Sequence, residues 1–290
     1  MSGRFPAPWE TELVLNDVVS LLACPHCGRG LDRADTTLRC ADNHSFDIAR
    51  HGYVGLLAGG GAAASGDSVE MVAARTRFLD AGHYNPLRQA VAQRVNLQGA
   101  TRVLDVGAGT GHYLCTVLER SPHAVGLAID ASKAAARRAA HAHPRAGSVR
   151  ADTWRQLPVR DGCIDTALTV FAPRRASELH RVLRPAGTLL IITPTTGHLH
   201  ELIAPLQLLH VDEHKPERLA QALGAHFSSV HTAELQFPLL LGTEDLVALV
   251  GMGPSAWHAS AEARVDRIAA LPVPMTVTAS VRLSEYRARQ

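Results

Sequence analysis

Three cysteines and a histidine near the start of the chain have the spacing of a metal site. The pattern is Cys24-x2-Cys27-x12-Cys40-x3-His44. Two thiolates in one tight turn can bind an ion together, and the second pair completes a tetrahedron that suits Zn²⁺. Four protein ligands leave no vacant position, so we expect a structural zinc that stabilises a segment too short to form its own core. His26 is the competing imidazole, and the geometry favours His44.

A glycine-rich turn in the middle of the chain indicates a ligand site. Residues Val103–Gly111 read Val-Leu-Asp-Val-Gly-Ala-Gly-Thr-Gly, and they join a predicted strand to a predicted helix. The dinucleotide-binding pattern needs a glycine at position 112, where this chain has His112. Because the glycines fall at Gly107, Gly109 and Gly111 with Asp105 just before them, we predict S-adenosylmethionine (SAM) as the ligand and NAD as the alternative. Asp105 would act on the polar, charged end of SAM, directly or through water.

Two further carboxylates follow the next two predicted strands. Asp130 ends the second strand, where it can accept both ribose hydroxyls, and Asp152 follows the third, where an acid can meet the adenine amino group. Ligands of parallel α/β sheets bind at the carboxyl ends of the strands. Three acids at three successive strand ends therefore support a SAM site.

The fourth strand end restricts the methyl acceptor. Residues Thr169–Pro173 lack the Asn-Pro-Pro-aromatic pattern of enzymes that methylate exocyclic amino groups. Cys163 precedes that strand and Cys115 lies on a helix, so neither is placed as the nucleophile that C5 methylation of pyrimidines requires. We expect a ring nitrogen or an oxygen as acceptor, with positioning as the main catalytic contribution.

The elements that would carry these residues alternate from residue 101 onwards. Apolar strands and helices in alternation predict a parallel sheet covered on both faces. The predicted fold is α/β, a Rossmann-like class I SAM-dependent methyltransferase domain over 101–290. The predicted strands are Thr101–Val106, Ala124–Ile129, Gly147–Arg150, Ile164–Phe171 and Thr188–Thr193, with later candidates at Phe237–Leu241 and Met275–Leu283.

The remaining sequence divides into two regions. A Gly/Ala-rich stretch at 59–66 predicts a linker, and helices at about 69–79 and 86–95 follow it, so that 59–100 connects the domains. Residues 1–58 form the predicted zinc-binding module, which contains several basic side chains: Arg29, Arg33, Arg39, Arg50 and His51. It could stabilise a lobe, contact protein, or neutralise phosphates of a nucleic acid.

Composition favours a folded soluble protein. Apolar residues make up 46% and charged residues 19%, and no apolar run is long enough to span a bilayer. Glu10, Glu12 and Asp17 do not fit a secretory signal. We therefore expect a cytoplasmic protein without membrane association. The net charge of +2 does not by itself indicate nucleic-acid binding.

Together these motifs resemble the 23S rRNA guanine-N1 methyltransferases of the RlmA type, and within that family the actinomycete branch associated with tylosin resistance. The resemblance rests on the Cys/His pattern, the glycine turn and several further segments: Phe46-Asp47, Gly52–Leu57, Gly66-Asp67-Ser68, Arg77–Tyr84, Ala172-Pro173, Thr193-Pro194 and His198-Leu199.

The resemblance implies that the zinc module recognises 23S rRNA. The methylated base would be a guanine in a hairpin loop lining the peptide exit tunnel, nucleotide 748, where a methyl group would hinder a bulky macrolide. Family SAM contacts carry over to Tyr84, Gly109, Thr110 and His198, and a homodimer is implied by the same analogy. Relatives carry two aromatic residues where this chain has His112-Tyr113, which leaves the role of His112 open.

Guanine N1 carries a proton at neutral pH, so its methylation requires a proton acceptor. Asp152, His198 and water are candidates, and arginines of the zinc module could stabilise the anionic ring. Two other functions remain open at this stage. One is a small-molecule methyltransferase of a biosynthetic pathway, with the zinc module as a lid. The other is a non-catalytic RNA-binding protein that binds SAM.

Overall fold

A computed structural model describes residues 15–58, 66–97, 101–253 and 261–289 of the 290-residue chain. The acidic N-terminal residues Glu10 and Glu12 and almost all of the predicted linker at 59–66 lie outside the described residues. Among the described residues, no helix is both long and apolar enough to cross a membrane.

The described residues contain a small sheet, a large sheet and the helices around them. The strands are β1 (Leu31–Ala34), β2 (Thr37–Cys40), β3 (Ser45–Asp47), β4 (Tyr53–Gly55), β5 (Arg102–Val106), β6 (Val125–Asp130), β7 (Ala146–Arg150), β8 (Ile164–Val170), β9 (Leu183–Pro194), β10 (Phe227–Leu241) and β11 (Met275–Ala288). The helices are α1 (Val69–Asp80), α2 (Asn85–Arg94), α3 (His112–Glu119), α4 (Lys133–Ala139), α5 (Ala176–Val182), α6 (His200–Leu206), α7 (Lys215–Gly224), α8 (Thr243–Gly251) and α9 (Ala261–Ala269).

The large sheet has eight strands in the order β10-β11-β9-β8-β5-β6-β7-β4. Strands β4 to β9 of this sheet pair in parallel, and β11 and β10 add to one edge as antiparallel strands. After the edge strand β4, the chain enters the middle of the sheet at β5, adds β6 and β7 on one side of it, and then adds β8, β9, β11 and β10 on the other side. Ligands of such sheets bind at this switch point, beside the carboxyl ends of the central strands. The predicted α/β fold with a parallel sheet is confirmed.

Side chains of the central strands are buried on both faces of the large sheet. Val103 and Leu104 are successive residues of β5 and both are fully buried, but they belong to different apolar clusters. Successive side chains of a strand point to opposite faces. One cluster contains Leu87 of α2 and Leu114 of α3, and the other contains residues of α5 and of the segment before β1.

The N-terminal region is packed into the large sheet. Strands β1, β2 and β3 form their own antiparallel sheet, whereas β4 pairs in parallel with β7, with Tyr53 opposite Ser148. Val18 is fully buried and lies so close to Gly147 of β7 that a Cβ at that position would collide with it. The sequence predicted a module ending at residue 58, and the last strand of that range, β4, pairs within the large sheet. The domain limits 1–58, 59–100 and 101–290 stay predictions.

The C-terminal strands are longer than their sequence segments predicted. β10 and β11 pair over their whole lengths, from Phe227 opposite Ala288 to Leu241 opposite Met275. β10 is the edge strand, and most of its side chains are exposed or half-buried until Leu239 and Leu241. Hydrophobic patterning therefore identified only its last few residues.

Candidate functional site

A cavity of about 430 Å³ lies at the carboxyl edge of the large sheet. This volume is in the usual range for small-molecule sites. Its wall includes residues from the ends of β5, β6 and β8, from α1, and from the segments around α6 and α8: Asp67, Arg75, Tyr84, Asp105, Gly107, Gly109, Thr110, Asp130, Thr153, Trp154, Phe171, Ala172, His198, Leu199, Val250 and Met252. All seven residues predicted to bind SAM are among them.

The glycine turn supplies the floor of this cavity. Gly107, Gly109 and Gly111 all have positive φ, at 74°, 54° and 80°, a region that favours glycine. A Cβ on Gly107 would collide with the Cβ of Ala172, and a Cβ on Gly109 would lie 3.2 Å from the Arg75 guanidinium. The turn therefore brings bare backbone close to the place where a ligand would lie.

Asp105 presents an unpaired charge to the cavity. Its side chain is 1% exposed, and its Oδ2 has no hydrogen-bond partner among the described residues. Burial, and after it the charge of the nearby Asp130, raises the pKa of Asp105 to about 7. A buried carboxylate oxygen without a partner is unfavourable unless a cationic or hydrogen-bond-donating ligand satisfies it. The ammonium group at the amino-acid end of SAM fits that requirement.

Asp130 links the glycine turn to the start of the next helix. Its Oδ2 accepts a hydrogen bond from the backbone N–H of Gly109 at 2.8 Å, and its Oδ1 accepts one from the N–H of Ser132 at 2.8 Å. Burial raises the pKa of Asp130, and these two hydrogen bonds act in the opposite direction. A carboxylate has about four acceptor positions, so two remain for the ribose hydroxyls.

Tyr84 and His198 meet across the cavity although 114 residues separate them. The Tyr84 hydroxyl lies 3.3 Å from His198 Nε2, and His198 Nδ1 accepts a hydrogen bond from the backbone N–H of Ser280 at 3.1 Å. Because Nδ1 is an acceptor, the neutral ring carries its proton on Nε2 and donates to the Tyr84 oxygen. Burial lowers the pKa of His198 to about 4, so the ring is neutral at physiological pH.

His112 joins the glycine turn to helix α1. Its Nε2 lies 2.8 Å from Asp80 Oδ1, and its Nδ1 lies 2.7 Å from the Thr110 hydroxyl. Asp80 is a hydrogen-bond acceptor when ionised, so Nε2 carries the proton and Nδ1 accepts from Thr110. The lone pairs of the Thr110 oxygen are then available to a ligand. The sequence left the role of His112 open, and no local pattern connects it to Asp80.

Asp152 differs from the other two strand-end acids. Its carboxylate accepts from the backbone N–H of Trp154 at 2.9 Å and pairs with Arg155 at 3.4 Å. The adjacent Thr153 and Trp154 line the cavity, whereas Asp152 does not belong to its wall. This position of Asp152 therefore does not support the expected contact with adenine.

Several wall residues could not have been identified from motifs. Arg75 donates to the carbonyl of Met252 at 2.9 Å and forms an ion pair with Asp67, which ties α1 to the end of α8. The resemblance included Gly66-Asp67-Ser68 as a family segment, but the contact with α8 depends on the packing of distant helices.

The predicted zinc ligands come together at one point of the N-terminal sheet. The ligand atoms of Cys24, Cys27, Cys40 and His44 all lie within 4.8 Å of one another. Cys27 Sγ is 3.6 Å from Cys40 Sγ, and Cys40 Sγ is 3.3 Å from His44 Nδ1. A tetrahedron with Zn–S bonds of about 2.3 Å has S···S edges of about 3.7 Å, so this donor set fits zinc. The ring of His26 stacks on Phe46, with centroids 5.8 Å apart.

Three cationic side chains, Arg50, Lys133 and Arg137, and two histidines lie where the N-terminal region meets α4. His51 is close to His141, with ring centroids 6.2 Å apart, and the charges of Arg137, Arg50 and Lys133 act on it. Burial, followed by these cations, lowers the pKa of His51. Within the described residues, Arg50, Lys133 and Arg137 form no ion pair. We call these five residues the cationic cluster.

Two family models match the chain. The zinc-ribbon model described as "RlmA, N-terminal" matches residues 22–58, and a methyltransferase-domain model matches residues 103–187. The first range contains all four predicted zinc ligands, Cys24, Cys27, Cys40 and His44. The second contains the glycine turn, Asp105 of β5, Asp130 at the end of β6, and Asp152 after β7.

Relatives of similar length match nearly the whole chain. The 23S rRNA (guanine(748)-N(1))-methyltransferase of Streptomyces fradiae is 48% identical over 93% of this chain and 98% of the relative. A protein of Micromonospora griseorubida, provisionally described as a 23S rRNA (guanine-N(1)-)-methyltransferase, is 47% identical over 93% of this chain and 98% of the relative.

Solved structures share the fold at low identity. The [4+2]-cyclase SpnF has a TM-score of 0.50 and 19% identity, covering 71% of this chain and 80% of its own. Because SpnF is a cyclase, the architecture alone does not define the reaction. Evidence for the reaction comes from the residues of the site and from the full-length relatives.

Proposed function

This chain belongs to the 23S rRNA (guanine-N(1)-)-methyltransferase family, and from that premise we propose that it transfers the methyl group of SAM to N1 of guanine 748 in 23S rRNA. The observation that carries the proposal is the 48% identity, over nearly both full lengths, to the enzyme of Streptomyces fradiae that is named for that nucleotide. We place the base in a hairpin loop near the peptide exit tunnel, where its methylation confers resistance to tylosin-type macrolides. We propose that the enzyme acts in the cytoplasm, since that is where 23S rRNA would be its substrate.

The proposed SAM-binding residues are those predicted from the sequence: Tyr84, Asp105, Gly107, Gly109, Thr110, Asp130 and His198. When bound, SAM supplies an electrophilic methyl group. Asp105 holds a positive charge at the buried end of the cavity, and Asp130 accepts hydroxyl groups beside the glycine turn. The Tyr84 oxygen accepts a hydrogen bond from His198 Nε2–H, so the hydroxyl hydrogen of Tyr84 is directed towards the ligand.

Side chains of this chain position the guanine that accepts the methyl group, but His198 does not take the proton from guanine N1. Both nitrogens of His198 are engaged, because Nδ1 accepts from Ser280 and Nε2 donates to Tyr84. Asp152 is paired with Arg155 and bonded to Trp154. Of the three candidates, water is the one that this geometry leaves free. No residue is assigned as the base.

We propose that Cys24, Cys27, Cys40 and His44 hold the structural zinc, and that the N-terminal region contacts rRNA. The cationic cluster supports this contact, since its Arg50, Lys133 and Arg137 form no ion pair among the described residues and cations on a surface attract phosphates. It adjoins both the zinc-bearing region and α4, which follows Asp130 at the edge that holds the cavity.

Primer extension on 23S rRNA tests the function. A methyl on N1 blocks Watson–Crick pairing, so rRNA from expressing cells should stop reverse transcriptase at position 748, and rRNA from cells expressing Asp130→Ala should not. Absence of a stop with the wild-type protein would contradict the proposal. The small-molecule alternative is not favoured by the full-length relatives, and methyl transfer to a metabolite but not to rRNA would select it.

A further inference from the structure

The chain adopts an unfavourable backbone conformation at the end of β8. Phe171 has φ +53°, in the left-handed region that bulky residues rarely adopt. Its N–H still donates to the carbonyl of Ile192 at 3.1 Å, as the last bond between β8 and β9. The chain then turns, so that Ala172 lies against Gly107 of the glycine turn. Such outliers persist where the surrounding structure imposes them, and they concentrate at functional sites.

The conformation directs an aromatic ring to the mouth of the cavity. Phe171 is 42% exposed and lines the cavity. Aromatic residues are only 4% of the sequence. Among the described residues, the large exposed apolar side chains include just two aromatic ones, Phe171 and Trp154, and both line this cavity. Exposing a ring costs free energy, so its position at a ligand site requires a reason.

The ring continues an aromatic series that leads from the core to the rim. Phe78 is buried and contacts Tyr84 edge-on at 5.1 Å between centroids. Tyr84 is 6.3 Å from Phe171, and Phe171 is 5.8 Å from His198. The inner members of the series are fixed by packing. Phe171 is the outermost member, and 42% of it is exposed.

We propose that the Phe171 ring is the surface on which the target guanine stacks when it is turned out of its RNA loop. The proposal rests on the proposed function and adds a substrate-binding residue to it. RNA-binding proteins commonly hold unstacked bases on aromatic side chains. A planar base lying on Phe171 would be next to Tyr84, His198 and the glycine turn, where the methyl group is supplied. The fourth strand end, which lacks the Asn-Pro-Pro-aromatic pattern, would thus still offer an aromatic residue to the base.

The test separates the ring from the backbone by using four substitutions at position 171. Initial rates are measured on in vitro transcribed 23S rRNA, and SAM affinity is measured by calorimetry. Phe171→Tyr keeps the ring and should keep kcat/KM for RNA within about threefold. Phe171→Leu and Phe171→Ala remove the ring and should lower kcat/KM by about 10- to 100-fold, which corresponds to the loss of one base–aromatic stack. The Kd for SAM should change by less than about threefold.

Phe171→Gly provides the discriminating variant. Glycine accepts positive φ without strain, so Phe171→Gly should melt about 1–3 °C above Phe171→Ala, yet be as defective in methyl transfer. Ala186→Gly is the matched control, because Ala186 also has positive φ, at 59°, and is exposed at the opposite end of β9. It should raise the melting temperature without changing the rate.

Three outcomes would overturn the inference: equal rates for Phe171→Leu and wild type, recovery of activity in Phe171→Gly, or a loss of SAM affinity as large as the loss of rate. These outcomes all presuppose that wild-type protein methylates the RNA. If the wild-type protein does not do so, the proposed function fails first.

Discussion

Asp105 is a carboxylate that the fold keeps in an unfavourable environment. Burial raises its pKa from 3.8 to about 7. The folded state therefore binds this proton more tightly than the unfolded state does. The stabilising contribution is full below about pH 4 and is lost as the pH rises through 7. Ionisation of buried Asp105 at neutral pH therefore lowers the stability of the fold, and it puts a negative charge where the positive end of SAM is expected.

The affinity for SAM should therefore depend on pH. Below pH 7 a proton must leave Asp105 before the carboxylate can pair with the ammonium group, so the Kd should rise about fivefold between pH 7 and pH 6. Asp105→Asn should bind SAM weakly and without this dependence. Calorimetry at both pH values measures the effect. A wild-type Kd that is flat over this range would contradict the assigned role.

The Asp80–His112–Thr110 chain leads to a second prediction at the residue scale. Asp80→Ala or His112→Ala should each weaken SAM binding by about 5- to 10-fold, because the Thr110 oxygen loses its fixed orientation. The double variant should be no worse than either single one, since the two residues act through the same hydroxyl. Additive losses in calorimetry would show that they act independently.

At the scale of elements, β4 connects the zinc-bearing region to the catalytic sheet. The metal site fixes β1, β2 and β3, whereas β4 is held by pairing with β7. Asp105 lies on β5 and Asp130 on β6, in the middle of the sheet, and the glycine turn follows β5 directly. Loss of zinc should therefore affect the N-terminal sheet much more than the cavity.

Cys27→Ser tests this separation. The variant should lose bound zinc in elemental analysis and exchange the amide hydrogens of β1–β3 rapidly, while its Kd for SAM stays within about threefold of wild type. Cys115→Ser is the control, since Cys115 is buried away from the predicted zinc ligands. Its thiol donates to the carbonyl of Ala142 at 3.2 Å. Retention of zinc by Cys27→Ser would remove that residue from the ligand set.

At the scale of the whole molecule, the cationic cluster and the cavity must act on one RNA. Arg50→Ala combined with Arg137→Ala should weaken binding to 23S rRNA by about tenfold at moderate salt and lower the slope of log K against log salt by about 1–2. Arg184→Ala is the control, because Arg184 is exposed but paired with Asp165 at 2.7 Å at the other end of β9. Filter binding over a salt series measures both quantities. Equal slopes for the double variant and the control would exclude the cationic cluster as an RNA contact.

A homodimer stays a prediction, which sedimentation velocity would test.

The sequence by itself determined the features whose residues are neighbours along the chain. The spacing of Cys24, Cys27, Cys40 and His44 predicted a group that the structure brings together. The Asp105–Gly111 turn and Asp130 were predictable because parallel strands have their carboxyl ends at one edge of the sheet. Residues at the ends of successive strands therefore lie close together in the fold.

Only the tertiary structure decided which distant residues meet. Tyr84 was paired with His198, His112 with Asp80, and β4 with β7 through packing between segments that no periodic pattern relates. The positive φ of Phe171 was equally invisible, because the surrounding sheet and the glycine turn impose it against the preference of the residue. Side-chain spacing reports local conformation, whereas the contacts that complete this site depend on how the chain closes over long separations.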